Sequence, residues 1–444
     1  MELKNFLGMR SVALLTVCTF VALCAAASTK KFSRGFPFPP HLIGTNYSAM
    51  NDLQAYKEKY DPVDLGIDLL DDHAPEYIRR ALGEASLSDP AYNQYTPNDG
   101  TVRLRTAIAD LYSPLVGQPL NPAENVLVTI GATEAMHSAI VGHTFADDEW
   151  ILIEPAYSMY LPMIRMAGGV PRFTALKLNA TGAPASGDDW KLDQEELQSL
   201  FNERTKGIIL NNPVNPVGKV YTAEELEFIA ELARERDVLV ISDEAHEWIT
   251  HKPHRRIASL PGMYERTITV GSASKSFSLA GWRIGWAYGH RDVLNHVKTV
   301  HMNSVDCAPA PQQEALAFAF EEEIRHFGSA HSYFATHREH VRRLRDMLVE
   351  AFADVGLKPV VASGGFCMLV DWTPIKSRVP RLAGSMDFAM WFIKHIGVLG
   401  LPATSYFGEE HKSIGQDYAR FCYHKKVDTL EEAARKLSKL KGLL

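Results

Sequence analysis

Between about Asn125 and Gly289, short apolar runs rich in β-formers alternate with stretches of helical periodicity. The runs are Val126–Ile130, Trp150–Ile153, Gly207–Leu210, Val238–Ile241, Thr267–Val270 and Arg283–Tyr288. They are continuous rather than alternating, as in strands buried on both faces, and turn residues bound them. Within AEELEFIAELARER (223–236), Leu226, Ile229, Ala230 and Ala233 fall on one helical face, opposite Glu and Arg. The pattern predicts an α/β fold with a mainly parallel central sheet covered by helices. After Gly289 the texture turns helical and charged. HSYFATHREHVRRLRDMLVEAF (331–352) predicts a long helix, followed by strands at Leu357–Val361 and Phe366–Trp372, so a smaller α+β domain is expected there. TGAPASGDD (181–189) reads as a loop, and no internal repeat interrupts the chain.

Composition narrows the classes. The 444 residues are 46% hydrophobic and 22% charged, enough chain for two domains with substantial cores. The net charge is −7 and basic residues are dispersed, which argues against a nucleic-acid partner. Residues 1–27 differ from the rest: Lys4 and Arg10 precede an apolar run from Ser11 that closes on Ala25, Ala26 and Ala27. This is a secretory signal pattern, with an uncleaved anchor or an organelle transit peptide as rival readings. Sequons at Asn46 and Asn179 are compatible with that route. Cys18 and Cys24 would leave with the signal. Cys307, Cys367 and Cys422 are odd in number and far apart, so neither a disulfide framework nor a metal site is expected, and each reads as a small buried hydrophobe.

Chemistry concentrates where the parallel strands end. In such sheets ligands collect at the C-terminal strand ends, and four of these loops carry unusual residues. After Ile130 comes GATEA, whose backbone N–H groups at Ala132 and Thr133 open a helix and suit a phosphate. After Leu210 comes NNPVNPVG, in which two prolines fix Asn215. After Ile241 comes SDEAHEW, with Asp243 at the strand end and His246 three residues on. After Val270 come Ser272, Ser274, Lys275 and then Arg283. Lys275 is bracketed by small residues and by Phe277, Leu279 and Trp282, a setting that predicts partial burial and a nucleophile for carbonyl groups. Read together, these loops supply a lysine, an acid, a phosphate cradle and an arginine. Pyridoxal 5′-phosphate requires such a set: a lysine for its aldehyde, a carboxylate opposite its ring nitrogen and an anchor for its phosphate.

From about Leu42 onward the chain resembles a class I aminotransferase of the aspartate aminotransferase fold, fold type I among pyridoxal phosphate enzymes. Within that family it is similar to the kynurenine, glutamine and methionine aminotransferase branch. The passages that carry the resemblance are YNQYTPNDG, EPAYSMYLPMIRMAGG, NNPVNPVGKVY, SDEAHEWITH, RIASLPGMYERTITVGSASKSFSLAGWRIGWAYG and ARFCYHKKVDTLEEA. With the signal pattern at 1–27, the resemblance divides the rest into an N-terminal arm and first part of a small domain at 28–71, a large cofactor-binding domain at 72–326 and a small C-terminal domain at 327–444. It implies that Lys275 forms the Schiff base and shuttles the proton, that Asp243 pairs with the ring nitrogen and that Asn215 bonds the phenolic oxygen. Tyr157 would stack on the ring. Ala132, Thr133, Ser272 and Arg283 would hold the phosphate, with Tyr95 reaching it from the other subunit of a homodimer. Arg420 would receive the substrate α-carboxylate through two parallel hydrogen bonds, with Gly66 close by.

Two departures from the family pattern stand out. His246 occupies a position usually held by tyrosine; imidazole can donate to the phenolic oxygen but ordinarily titrates near neutrality, so an altered pH optimum is expected. LGIDLLDD (65–72) stands where the kynurenine branch has a Gly-Phe-Pro-Asp turn, and Met50 replaces a tryptophan, so the side-chain pocket should differ. The implied reaction is transfer of an amino group from an L-amino acid to a 2-oxo acid. A carbon–sulfur β-lyase is the alternative that His246 raises.

Overall fold

The computed structural model describes Pro39, Leu42, Thr45 and residues 49–442, except 69, 72, 181–183, 377, 380 and 381. The signal segment, Asn46, Cys18 and Cys24 lie outside the described residues. Everything below belongs to one compact unit, Gly44–Leu444.

A seven-stranded sheet forms the centre. Its strands are β1 (Val126–Thr129), β2 (Glu149–Glu154), β3 (Val170–Ala175), β4 (Thr205–Asn211), β5 (Leu239–Asp243), β6 (Thr267–Ser272) and β7 (Gly285–Gly289), in spatial order β1-β7-β6-β5-β4-β2-β3. Only β7 runs against the others. Six strands match the apolar runs in the sequence to within a few residues. The seventh, β3, escapes that pattern because VPRFTA carries a proline and an arginine and is half-exposed at the sheet edge, where a missing N–H is tolerated.

The covering helices follow from local chemistry. α1 (Gly131–His143) starts directly off β1, and α2 (Ala223–Glu235) is opened by a reciprocal cap in which Glu225 N–H donates to Thr222 Oγ1 at 3.2 Å and Thr222 N–H to Glu225 Oε2 at 3.0 Å. The face of α2 read from the sequence is the buried one. A four-residue turn, α3 (Ala273–Ser276), follows β6, and α4 (Tyr333–Asp354) is the expected long helix.

A second, antiparallel sheet has the order β8-β9-β11-β10, from β8 (Lys358–Pro359), β9 (Cys367–Asp371), β10 (Leu401–Pro402) and β11 (Tyr418–Cys422). Together with α4 it packs a core that includes Leu344, Phe352, Phe392 and Phe421. Here the cysteine expectation is corrected. Antiparallel pairing of β9 with β11 sets Cys367 directly opposite Cys422, and the two form a disulfide across 55 residues of sequence. Cys307 is free and half-buried. Sequence spacing could not reveal the pair, because the register that brings the sulfurs together is a property of the folded sheet. Asn179, at the second sequon, is exposed.

Candidate active site

Parallel strands put their C-terminal ends on one edge, and the register aligns Asn211 of β4 with Asp243 of β5 and Asp243 with Val270 of β6. The loops leaving that edge enclose a cavity of about 510 Å³. Ala132, Thr133, Tyr157, Asn215, Asp243, His246, Ser272, Lys275, Arg283 and Arg420 all line it. The residues singled out in the sequence, spread from 132 to 420, therefore converge on one space. Tyr95 does not: its side chain is exposed at the surface, outside the cavity.

One end of the cavity is built for an anion. Ile130 precedes α1 without a side-chain cap, and Ala132 and Thr133 in the first turn of this thirteen-residue helix line the cavity, with the dipole behind them. Ser272 and Ser274 line the same end. Arg283 is held in a left-handed conformation (φ 56°), with Nη1 donating to Ala280 O at 3.1 Å. Gly131 (φ 75°) holds a left-handed conformation that favours glycine, and a Cβ there would lie 2.6 Å from Arg283 Nη2, so the guanidinium would have to shift.

In the middle, Asp243 is 7% exposed. Its Oδ2 accepts from Tyr160 Oη at 2.5 Å and its Oδ1 from Ala245 N at 3.1 Å. Burial raises its pKa against the two donors, with Glu244 adding to the rise. Such a carboxylate is suited to a buried cationic N–H. Asn211 Nδ2 donates to Asp243 O at 3.1 Å, and Asn211 Oδ1 accepts from Asn215 N at 2.7 Å, so one asparagine ties the strand end to the proline loop. The Tyr157 ring stands edge-on to Tyr160 at 5.6 Å, and burial raises the pKa of its phenol.

Both ring nitrogens of His246 are buried with no hydrogen-bond partner. Burial and the adjacent Lys275 cation lower its pKa to about 4. This corrects the sequence expectation: His246 does not titrate near neutrality but stays a neutral imidazole with a ring N–H to give.

Arg420 sits on β11, an interior strand rather than an edge, and is 5% exposed. Nη2 donates to Gly66 O at 2.5 Å and Nη1 to Asn215 Oδ1 at 3.3 Å; the guanidinium lies 5.1 Å from the Tyr406 ring centroid, and Nε has no partner. Among its hydrogen bonds none is to a carboxylate, so this buried cation is prepared for an incoming anion. Gly66 serves through its carbonyl, and a Cβ there would strike Leu399 Cδ2 at 2.0 Å.

Lys275 lies on α3 with its side chain 17% exposed; Nζ is 5.6 Å from the Phe366 ring centroid and forms an ion pair with Asp68 Oδ2. Sequence reasoning missed Asp68, Tyr160 and Asn211. Asp68 left one signal, an acid inside the otherwise apolar LGIDLL. Burial would raise its pKa, but Lys275, by charge and hydrogen bond, and the neighbouring Arg420 hold it below the usual carboxylate range.

The family model of class I and II aminotransferases matches residues 60–437. This chain belongs to that family. The aminotransferase is 39% identical over 411 residues to kynurenine–oxoglutarate transaminase 1 of Mus musculus, covering 90% of this chain and 97% of the relative. Among solved structures it is similar to N-succinyldiaminopimelate aminotransferase from Mycobacterium tuberculosis, with TM-score 0.83, 30% identity, and 91% and 100% of the two chains covered. It is also similar to the methionine aminotransferase YbdL of Escherichia coli, with TM-score 0.82, 26% identity, and 91% and 100% covered. The family implies pyridoxal phosphate, and this aminotransferase offers the parts that group needs: an uncapped helix start beside Arg283, a buried carboxylate without a cation, and a lysine at the cavity wall. No helix among the described residues is long and apolar enough to cross a membrane.

Proposed function

We propose that this aminotransferase moves the amino group of an aromatic, sulfur-containing or kynurenine/glutamine-like L-amino acid to a 2-oxo acid in a ping-pong cycle. The similarity to kynurenine–oxoglutarate transaminase 1 and to a methionine aminotransferase supports that range of donors. One observation carries the reading. Arg420, a buried guanidinium without a carboxylate, and Lys275, an amine, face the same cavity as Asp243. Pyridoxal phosphate, when bound, supplies an aldehyde and an electron-withdrawing ring that stabilises negative charge at the substrate Cα.

This chain's residues do the rest. Ala132 and Thr133 N–H groups, Ser272 and Arg283 bind the phosphate. Asp243 faces the ring nitrogen and keeps its proton there, with Tyr160 fixing the carboxylate. Asn215 and the neutral His246 donate to the phenolic oxygen, and Tyr157 covers the ring. Arg420 takes the α-carboxylate in a two-pronged grip and so turns Cα–H toward Lys275, whose Nζ accepts the proton and returns it one carbon away. Tyr95, exposed on the single chain, reaches the phosphate of a partner in a homodimer.

Residues 1–27 direct the protein into the secretory pathway, and the Cys367–Cys422 disulfide supports an oxidising compartment. Mixing the purified protein with each amino acid in turn, and following the bound cofactor's absorbance, tests the reaction and the donor class together. Lys275→Ala should abolish the change; a variant that transfers amino groups at the normal rate would overturn the assignment.

A second reading rests on His246, which lines the cavity and whose two ring nitrogens are buried without a partner. A donor with a leaving group on Cβ would then be split. Pyruvate and ammonia formed from cystathionine without an added oxo acid would establish this activity.

A further inference from the structure

The EPAY motif begins with an acid that the reading above does not employ. Glu154 ends β2, is 1% exposed and is not among the residues lining the cavity. A buried carboxylate is costly unless donors meet it. Here both donors come from one distant segment: Gly408 N–H donates to Oε1, and His411 Nδ1 lies 2.7 Å from Oε2. The other nitrogen of His411 lies 3.4 Å from Glu196 Oε1, so the ring is held between two carboxylates. The backbone adds a further tie, Ala156 N donating to Tyr406 O at 2.8 Å. Residues 154–156 thus fasten residues 406–411 to the end of the central sheet.

The fastened segment reaches the arginine that reads the substrate. Leu401 of β10 is paired with Arg420 of β11, and the turn Ala403–Tyr406 follows β10 directly. This turn brings the buried Tyr406 ring to 5.1 Å from the Arg420 guanidinium. Strand pairing holds the near end of the turn; Glu154 and His411 hold the far end. Arg420 has hydrogen bonds to Gly66 O and Asn215 Oδ1 only, and its Nε has no partner, so the Tyr406 ring is a further contact that limits where the guanidinium settles. A two-pronged grip on a carboxylate is sensitive to the angle of the fork.

We infer that Glu154 and His411 are a positioning pair for α-carboxylate binding: by anchoring residues 406–411 to the end of β2, they hold Tyr406 against Arg420. Neither of the two lines the cavity, so the pair acts through Tyr406 and Arg420 rather than on the substrate. The inference rests on the role given above to Arg420.

The test uses the full chain loaded with pyridoxal phosphate, and hexanoate, a carboxylate that lacks an amino group, so that calorimetry reads the grip of Arg420 without turnover. His411→Ala should weaken hexanoate binding by about tenfold, as a small misplacement of a binding group can. His411→Asn, whose side-chain amide N–H can take the place of Nδ1–H, should restore it. Glu154→Ala should weaken hexanoate as much as His411→Ala, and the double substitution no further, as expected of two residues that act together. Cofactor retention should match that of the unaltered protein in every variant, which reports that each is folded. Unchanged hexanoate binding in His411→Ala, a His411→Asn protein as weak as His411→Ala, or additive losses in the double variant would overturn the pair and leave the role of Arg420 standing. Cofactor lost in step with hexanoate would mark a general loosening and overturn the pair as well. If hexanoate fails to bind the unaltered protein, the assignment of Arg420 falls and the pair falls with it.

Discussion

Tyr160 donates its hydroxyl to Asp243 at 2.5 Å, and both groups are buried. The phenol lies three residues past the EPAY motif, at the start of a helix, and fixes a carboxylate 83 residues further along the chain. Tyr160→Phe removes this donor without changing the ring. A hydrogen bond to a charged acceptor contributes roughly 1.5–3 kcal/mol. Retention of pyridoxal phosphate should therefore fall by more than about tenfold. Fluorescence titration of the cofactor-free protein checks this.

Arg420→Lys should keep the charge and lose the fork. A single ammonium cannot hold Gly66 O, Asn215 Oδ1 and a two-pronged carboxylate together. Amino-acid half-reactions should lose about tenfold or more in kcat/KM, chiefly through KM, while cofactor affinity stays near that of the unaltered protein.

The candidate site was legible in the sequence mainly where its residues follow strand ends. Asp243, Ser272 and Lys275 were recoverable because a buried parallel strand reads as a continuous apolar run, and the sheet delivers whatever follows it to one edge. Asp68 was not, since an acid in a short loop ordinarily reads as solvated, and its partner Lys275 lies 207 residues away in sequence. Tyr160 begins a helix and carries no local sign of its partner. The β3 edge strand and the Cys367–Cys422 pair were missed for related reasons: one breaks the apolar pattern with Pro171, the other exists only through sheet register.

Closing 55 residues of chain, the Cys367–Cys422 bridge constrains the unfolded state more than the folded one. A loop of that length corresponds to about 4 kcal/mol in the chain-entropy description. Cys367→Ser/Cys422→Ser should lower Tm by several degrees in non-reducing buffer, and adding a thiol reductant should then leave the variant unchanged. A variant that melts with the unaltered protein would show that the bridge contributes nothing.

Acid should destabilise the protein through buried histidines. His143, the last residue of α1 and not among the residues lining the cavity, is lowered to about 4 by burial. Its folded pKa lies below the unfolded value near 6.5, so the unfolded chain binds more protons between those limits. The contribution is complete above about pH 6.5 and is lost as pH falls toward 4. By pH 5 it should cost about 2 kcal/mol relative to pH 7.5. Urea unfolding of the protein and of His143→Asn at both values checks the sign, since the variant should lack this component. His246, also lowered to about 4, should place no inflection near neutrality in the activity profile.

The cavity wall is drawn from both ends of the chain, Ile67 and Asp68 near the start and Arg420 close to the finish, around a lysine in between. During synthesis the central sheet can collapse early, yet substrate recognition must wait until the final β-strand has emerged and docked. The loops of the central sheet that would hold the vitamin-derived group are thus all made before the strand that carries the substrate-reading arginine.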